Sequence, residues 1–152
     1  MYNLYSLKAI YIRKKFDTSI ICLFIKYLER GGLLIKTEYE IRLTDYSADA
    51  LVRRILDEGL GDWCVLREGD AYAERRIPMG HPLLYVTDIH TDTEYTLTKA
   101  LLAETVNMVW IEFPWAVNWE MCDLDVMLLS GAEMDVLVQF ACFDDVVYPY
   151  PW

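Results

Sequence analysis

Leu83-Leu-Tyr-Val-Thr-Asp-Ile-His-Thr-Asp-Thr-Glu-Tyr-Thr-Leu-Thr-Lys-Ala-Leu-Leu102 is the stretch from which the fold class is read. Leu83 to Ile89 is rich in apolar and β-branched residues and predicts a strand. The polar run His90 to Thr93 predicts a turn, and Glu94 to Leu97 a second short strand. Thr98 then stands as the N-cap of a helix whose apolar stripe is Leu101, Leu102, Val106, Val109 and Trp110. That helix ends before Pro114, because a proline disfavours helical backbone in the residue before it. Two strands in succession leading into a helix, with no strand–helix–strand rhythm, point to an α+β protein.

Working downstream, Ser130-Gly-Ala-Glu133 is a capping box that opens a helix carrying Met134, Leu137, Val138, Ala141 and Cys142. Asp135 adds a second acid near the first turn, where the helix dipole favours it. Asp144-Asp145 closes the helix, and Val146 to Tyr148 predicts a last strand. Upstream, Pro78 to Pro82 reads as a loop. Trp63–Leu66 and Ala71–Ile77 flank Glu68-Gly69-Asp70, which predicts a hairpin turn. Ser47 is read as the N-cap of a helix with Ala48, Leu51, Val52, Ile55 and Leu56 at helical spacing, stopped by Gly59. Residues 35–43 alternate, with Ile35, Thr37, Tyr39, Ile41 and Leu43 on one face, and predict a half-buried strand. A further strand is expected over Tyr2–Ile12, and a short helix from Asp17 or Thr18 to Leu28, stopped by Gly31-Gly32. The expected architecture is a small, mostly antiparallel sheet packed against about three helices.

The chain has 152 residues and a net charge of −10, with 55% hydrophobic and 14% aromatic residues. That is too apolar for a disordered acidic tail. The charge is uneven. Residues 1–36 hold seven basic side chains (Lys8, Arg13, Lys14, Lys15, Lys26, Arg30, Lys36) against Asp17 and Glu29, a net of +5. Subtracting this from −10 leaves −15 for the rest. From Pro78 onward Lys99 is the sole Lys or Arg, against twelve acids. Two readings of the basic third stand side by side. Arg13-Lys14-Lys15 contacts nucleic acid or pairs with the acidic body. Alternatively, residues 1–32 are translated upstream DNA, with Glu29-Arg30-Gly31-Gly32 encoded by a ribosome-binding tract and the native start near Leu33 or Leu34. On either reading, residues 33–152 are expected to form one acidic α+β domain.

Such a body repels phosphates and argues against direct nucleic-acid binding. It favours a basic protein partner, or else a surface simply kept soluble by its charge. Cys22, Cys64, Cys122 and Cys142 include no C-x-x-C pair, and no secretory signal is visible. The longest apolar run, Ile20–Ile25, is too short to span a bilayer. Free thiols in a cytoplasmic protein without a membrane span are therefore expected.

Catalytic motifs are absent: there is no Walker loop, G-x-G-x-x-G, G-x-S-x-G or H-E-x-x-H. His81, His90, Cys122 and Cys142 lack the close ligand spacing of structural zinc sites, so no metal or other cofactor is expected. The acids lack the accompanying lysine or histidine of a nuclease centre. More informative is Trp110-Ile-Glu-Phe-Pro-Trp-Ala-Val-Asn-Trp-Glu-Met-Cys-Asp-Leu-Asp125. Here rigid aromatics alternate with carboxylates, a combination suited to anchoring on a basic surface. The competing reading is that the tryptophans fill the core. The candidate partner-binding residues are Glu112, Trp115, Trp119, Glu120, Asp123, Asp125, Asp144 and Asp145. The aromatic tail Tyr148-Pro-Tyr-Pro-Trp152 either packs down or docks on another chain.

Residues 123–148, through Asp123, Ala132-Glu-Met-Asp135, Gln139-Phe-Ala-Cys-Phe143 and Val146-Val-Tyr148, resemble the end of small acidic proteins carried on conjugative elements of Gram-positive bacteria. Cargo of this size and acidity includes inhibitors of host defence nucleases, of the anti-CRISPR and anti-restriction kind. The resemblance implies an inhibitor that mimics nucleic acid and occupies a basic surface of a nuclease. It assigns no functional residue. Two other expectations differ in class: a small enzyme or ligand-binding domain with a site near His81 and His90, and a structural homodimer built on the aromatic segment.

Overall fold

Ile41 and Leu43 are buried and Arg42 between them is exposed, as the alternation predicts. Yet only a single parallel bridge, Arg42 to Asp123, forms there. The Asn107 side chain supplies the missing pairing: its Oδ1 accepts from Ile41 N–H and its Nδ2 donates to Ile41 C=O, both at 2.9 Å. In this computed structural model residues 40–70 and 76–150 are described. The expectations for residues 2–12, 17–28, 35–39 and 71–75 lie outside them, as does Trp152. Apart from Glu40, the described residues belong to one compact unit, Ile41–Trp152.

Among the described residues are three helices, a three-stranded antiparallel sheet and a two-stranded hairpin, an α+β fold. Helix α1 is Asp45–Glu58. Strands β1 (Cys64–Glu68), β2 (Pro82–Asp88) and β3 (Thr93–Thr98) lie in that order in the sheet. Helix α2 (Lys99–Val109) follows, then the hairpin β4 (Val117–Asn118) and β5 (Asp123–Leu124), and helix α3 (Gly131–Phe143). Central β2 buries Leu83, Leu84 and Val86, and α1, α2 and α3 close over them with Leu51, Ile55, Leu102, Val106 and Leu137. No helix among the described residues is long and apolar enough to cross a membrane.

Two predicted caps hold. Thr98 Oγ1 accepts from Leu101 N–H at 3.2 Å. Ser130 and Glu133 form both halves of the capping box. Other details differ from expectation. The N-cap of α1 is Thr44, whose hydroxyl accepts from Ser47 N–H, and the Ser47 hydroxyl is turned to β5 instead. The second strand of the expected hairpin about Glu68–Asp70 falls mostly on residues 71–75, outside the described residues; on the first, β1 pairs with β2 and Gly69 N–H continues the ladder to Leu83 C=O. Gly69 is required there for close approach: a Cβ would lie 2.1 Å from Pro82 O. Ile77 is buried but lies in no strand.

Asp135 lies early in α3, as expected, and does more than favour the helix dipole. It is buried, and it accepts from Gly61 N–H (3.0 Å), Trp63 Nε1–H (2.8 Å) and Gln139 Nε2–H (2.6 Å). Residues Val146 to Tyr148 form no strand, since their backbone is claimed by the buried Gln139 side chain. Its Oε1 accepts from Val147 and Tyr148 N–H, and its Nε2 donates to Tyr148 C=O. Tyr148 thereby packs down on the body, stacked on Trp63 with ring centroids 5.5 Å apart.

Candidate protein-binding site

The aromatic–acidic segment folds into short, side-chain-braced turns. Trp110–Glu112 is a 3-10 turn, and Pro114 opens a second, Pro114–Ala116, at the position where its missing N–H costs nothing. The β4–β5 hairpin turn is closed by Asn118 Oδ1, which accepts from Glu120 and Met121 N–H. Phe113 is wholly buried and anchors the segment in the core. The tryptophans divide differently from either expectation. Trp110, Trp115 and Trp119 are all half-buried, and Trp110 meets Trp119 edge-to-face at 5.3 Å. Glu112 and Glu120 lie exposed within two residues of that pair.

Asp123 and Asp125 face α1 across a cleft of about 270 Å³ lined by Tyr46, Ser47, Ala50, Asn118, Leu124, Val126 and Met127. Three braces fix its walls. Ser47 Oγ donates to the Asp123 carboxylate and Leu124 C=O, both at 3.2 Å. Asp125 Oδ1 accepts from Met127 N–H, capping the 3-10 turn Val126–Leu128. Arg54 on α1 reaches that turn and donates to Val126 C=O at 2.6 Å and Leu129 C=O at 2.8 Å. Its other nitrogens pair with Glu58, and the Arg54 guanidinium holds the Glu58 carboxyl below the usual range against the opposing push of burial. In the cleft lining, Tyr46 is 83% exposed and Met127 72%, and in the hairpin turn Met121 is 69% exposed. Large apolar side chains left in water beside carboxylates form a surface suited to a partner.

Between described residues the ion pairs are Arg53–Asp49, Arg54–Glu58, Arg67–Glu94 and Lys99–Asp45. None reaches Glu112, Glu120, Asp123 or Asp125. The predicted residues Asp144 and Asp145 lie elsewhere. Asp144 caps the C-terminal end of α3 in the left-handed region (φ 56°), and Asp145 accepts from Val146 N–H. Thirteen residues of helix at 1.5 Å each place them about 20 Å from the N-terminal end of α3, where the Val126–Leu128 turn leads in. Tyr46, Met121 and Met127 are the residues that the candidate set from the sequence lacks. Tyr46 carries a usable signal, because it falls off the apolar stripe Ala48, Leu51, Val52 and Ile55 of its own helix.

His81 and His90 stand beyond opposite ends of β2, which at about 3.4 Å per residue keeps them some 20 Å or more apart. His81 contacts Asp70 C=O through Nε2, and His90 stacks on Tyr148. Burial, with Asp135 and Asp88 nearby, pushes the Cys64 thiol up to about 12. Burial first, then Cys64 and Asp88, pushes Cys142 up to about 12. Neither supplies a thiolate near neutrality. Among the described residues no three His, Cys, Asp or Glu side chains converge as metal ligands. No family model, curated protein or solved structure matches this chain.

Proposed function

We propose that this protein is an acidic interaction protein that occupies the basic, nucleic-acid-binding surface of a second protein. In its most concrete form it is an inhibitor of a host defence nuclease, of the anti-CRISPR or anti-restriction kind. The observation that carries the reading is a set of carboxylates without ion pairs among the described residues: Asp123 and Asp125 in the cleft with exposed Tyr46 and Met127, and Glu112 and Glu120 next to the Trp110–Trp119 pair, with exposed Met121 adjoining Glu120. Carboxylates stand in for phosphates and steer the encounter, while the apolar rim supplies contact that outlasts screening. The resemblance of residues 123–148 to conjugative-element proteins supports the inhibitor form.

The test is capture of partners on the immobilised chain from a nuclease-treated bacterial lysate, then measured association with the retained protein. The retained protein should be basic and bind nucleic acid. Added duplex should compete, and the association rate should fall about tenfold or more between low salt and several hundred millimolar. Affinity indifferent to both salt and duplex sinks the proposal.

A further inference from the structure

We infer that the cleft between α1 and the β4–β5 hairpin receives one arginine side chain of the partner, with its guanidinium laid on the Tyr46 ring and shared by Asp123 and Asp125. This rests on the reading above and names what the acidic surface selects. The cleft offers what a guanidinium uses: an exposed aromatic face, two carboxylates two residues apart, and apolar walls for the methylene stem from Ala50, Leu124, Val126 and Met127. The acceptors are set before binding. Ser47 holds Asp123, and Asp125 Oδ1 is fixed by Met127 N–H, leaving Oδ2 for the ligand. The N-terminus of α1 adds about half a positive charge, against two full negative ones.

The same chain already contains this assembly in closed form. Arg67 lies 3.9 Å from the Tyr85 ring centroid, and its Nη2 pairs with Glu94 at 3.2 Å. The cleft has the aromatic ring and the carboxylates of that arrangement with no arginine of its own among its described lining residues. Lysine is the poorer fit, because its ammonium is a compact, strongly hydrated point charge that does not stack in a plane.

The experiment uses the full chain with ¹³C-methyl methionine, titrated with N-acetyl-arginine amide or N-acetyl-lysine amide and read at the Met127 methyl. Arginine amide should give a saturable shift, and lysine amide should bind at least about twofold more weakly. Tyr46→Ala should weaken the arginine probe about two- to fivefold. Asp125→Asn keeps a cap for Met127 N–H while removing charge, and should weaken it similarly. The double variant should lose saturation, and Glu104→Gln, an exposed acid on α2 outside the cleft, should change nothing. No saturable shift, equal binding of both amides, or saturation surviving in the double variant overturns the inference. Where the capture experiment yields a basic partner, undiminished affinity of the double variant overturns the cleft as anchor and leaves the acidic reading standing. Where it yields none, that reading falls, and the amide titration decides the cleft by itself.

Discussion

Tyr148 donates its phenol to Asp88 Oδ2 at 2.9 Å while His90 N–H donates to Oδ1, so a carboxylate closed off from water keeps its charge. Burial pushes the Asp88 pKa up. Hydrogen bonds from His90 N–H, Tyr148 and Thr91 outweigh that push and leave it below the ordinary value. The sign for stability follows. A carboxyl whose folded pKa is depressed contributes fully above its unfolded value, about 4, and loses that contribution as pH falls through the folded pKa. Asp45, held down first by its hydrogen bond from Lys99, and Glu58, held by Arg54, act in the same window. The urea midpoint should therefore drop below about pH 4. Asp88→Asn should lower the midpoint at pH 7 and flatten part of the acid limb. An acid limb of unchanged slope in that variant would exclude Asp88 as a contributor.

At the scale of elements, the β1–β2 pair depends on a backbone approach that only glycine permits. Gly69→Ala sets a methyl group against Pro82 O and should cost about 1–3 kcal/mol in urea unfolding, with faster exchange of the residue 69 amide that bonds Leu83 C=O. An unchanged midpoint would show that the strands part without penalty. Gly69 also marks the limit of what the sequence reveals. Beside an acid on each side it reads as a turn residue, and the strand it approaches lies thirteen positions away. Caps such as Thr98 and Ser130 are legible because their partners sit within three residues. The first turn of α1 is not, because Lys99 holds Asp45 from 54 positions away and Asp123 holds Ser47 from 76. Asp135 fails for the same reason, its partners Gly61 and Trp63 lying 74 and 72 positions upstream. Of the candidate site, Asp123 and Asp125 are readable as acids near tryptophan. Their shared wall with Tyr46 is a tertiary fact.

For the whole molecule, charge and shape divide the work. From Ile41 onward seven basic residues face twenty acids, a net of −13, so a distant basic surface is drawn in wherever the contact finally forms. Several acids serve the fold or existing ion pairs. Asp88 and Asp135 are enclosed, Asp144 and Asp145 finish a helix, and Asp45, Asp49, Glu58 and Glu94 are matched with bases. Those left for a partner include the group around the hairpin. Arg54, clamped between Glu58 and the carbonyls of Val126 and Leu129, has a kinetic consequence for that group. On the proposed function, the rim carrying Asp125 and Met127 is braced before any partner arrives, and each residue ordered in advance spares about 1–2 kcal/mol of entropy loss at docking. Arg54→Met removes a positive charge, so capture of a basic partner should be no slower. Release should quicken by about five- to thirtyfold, a change in residence time that stopped-flow displacement would resolve.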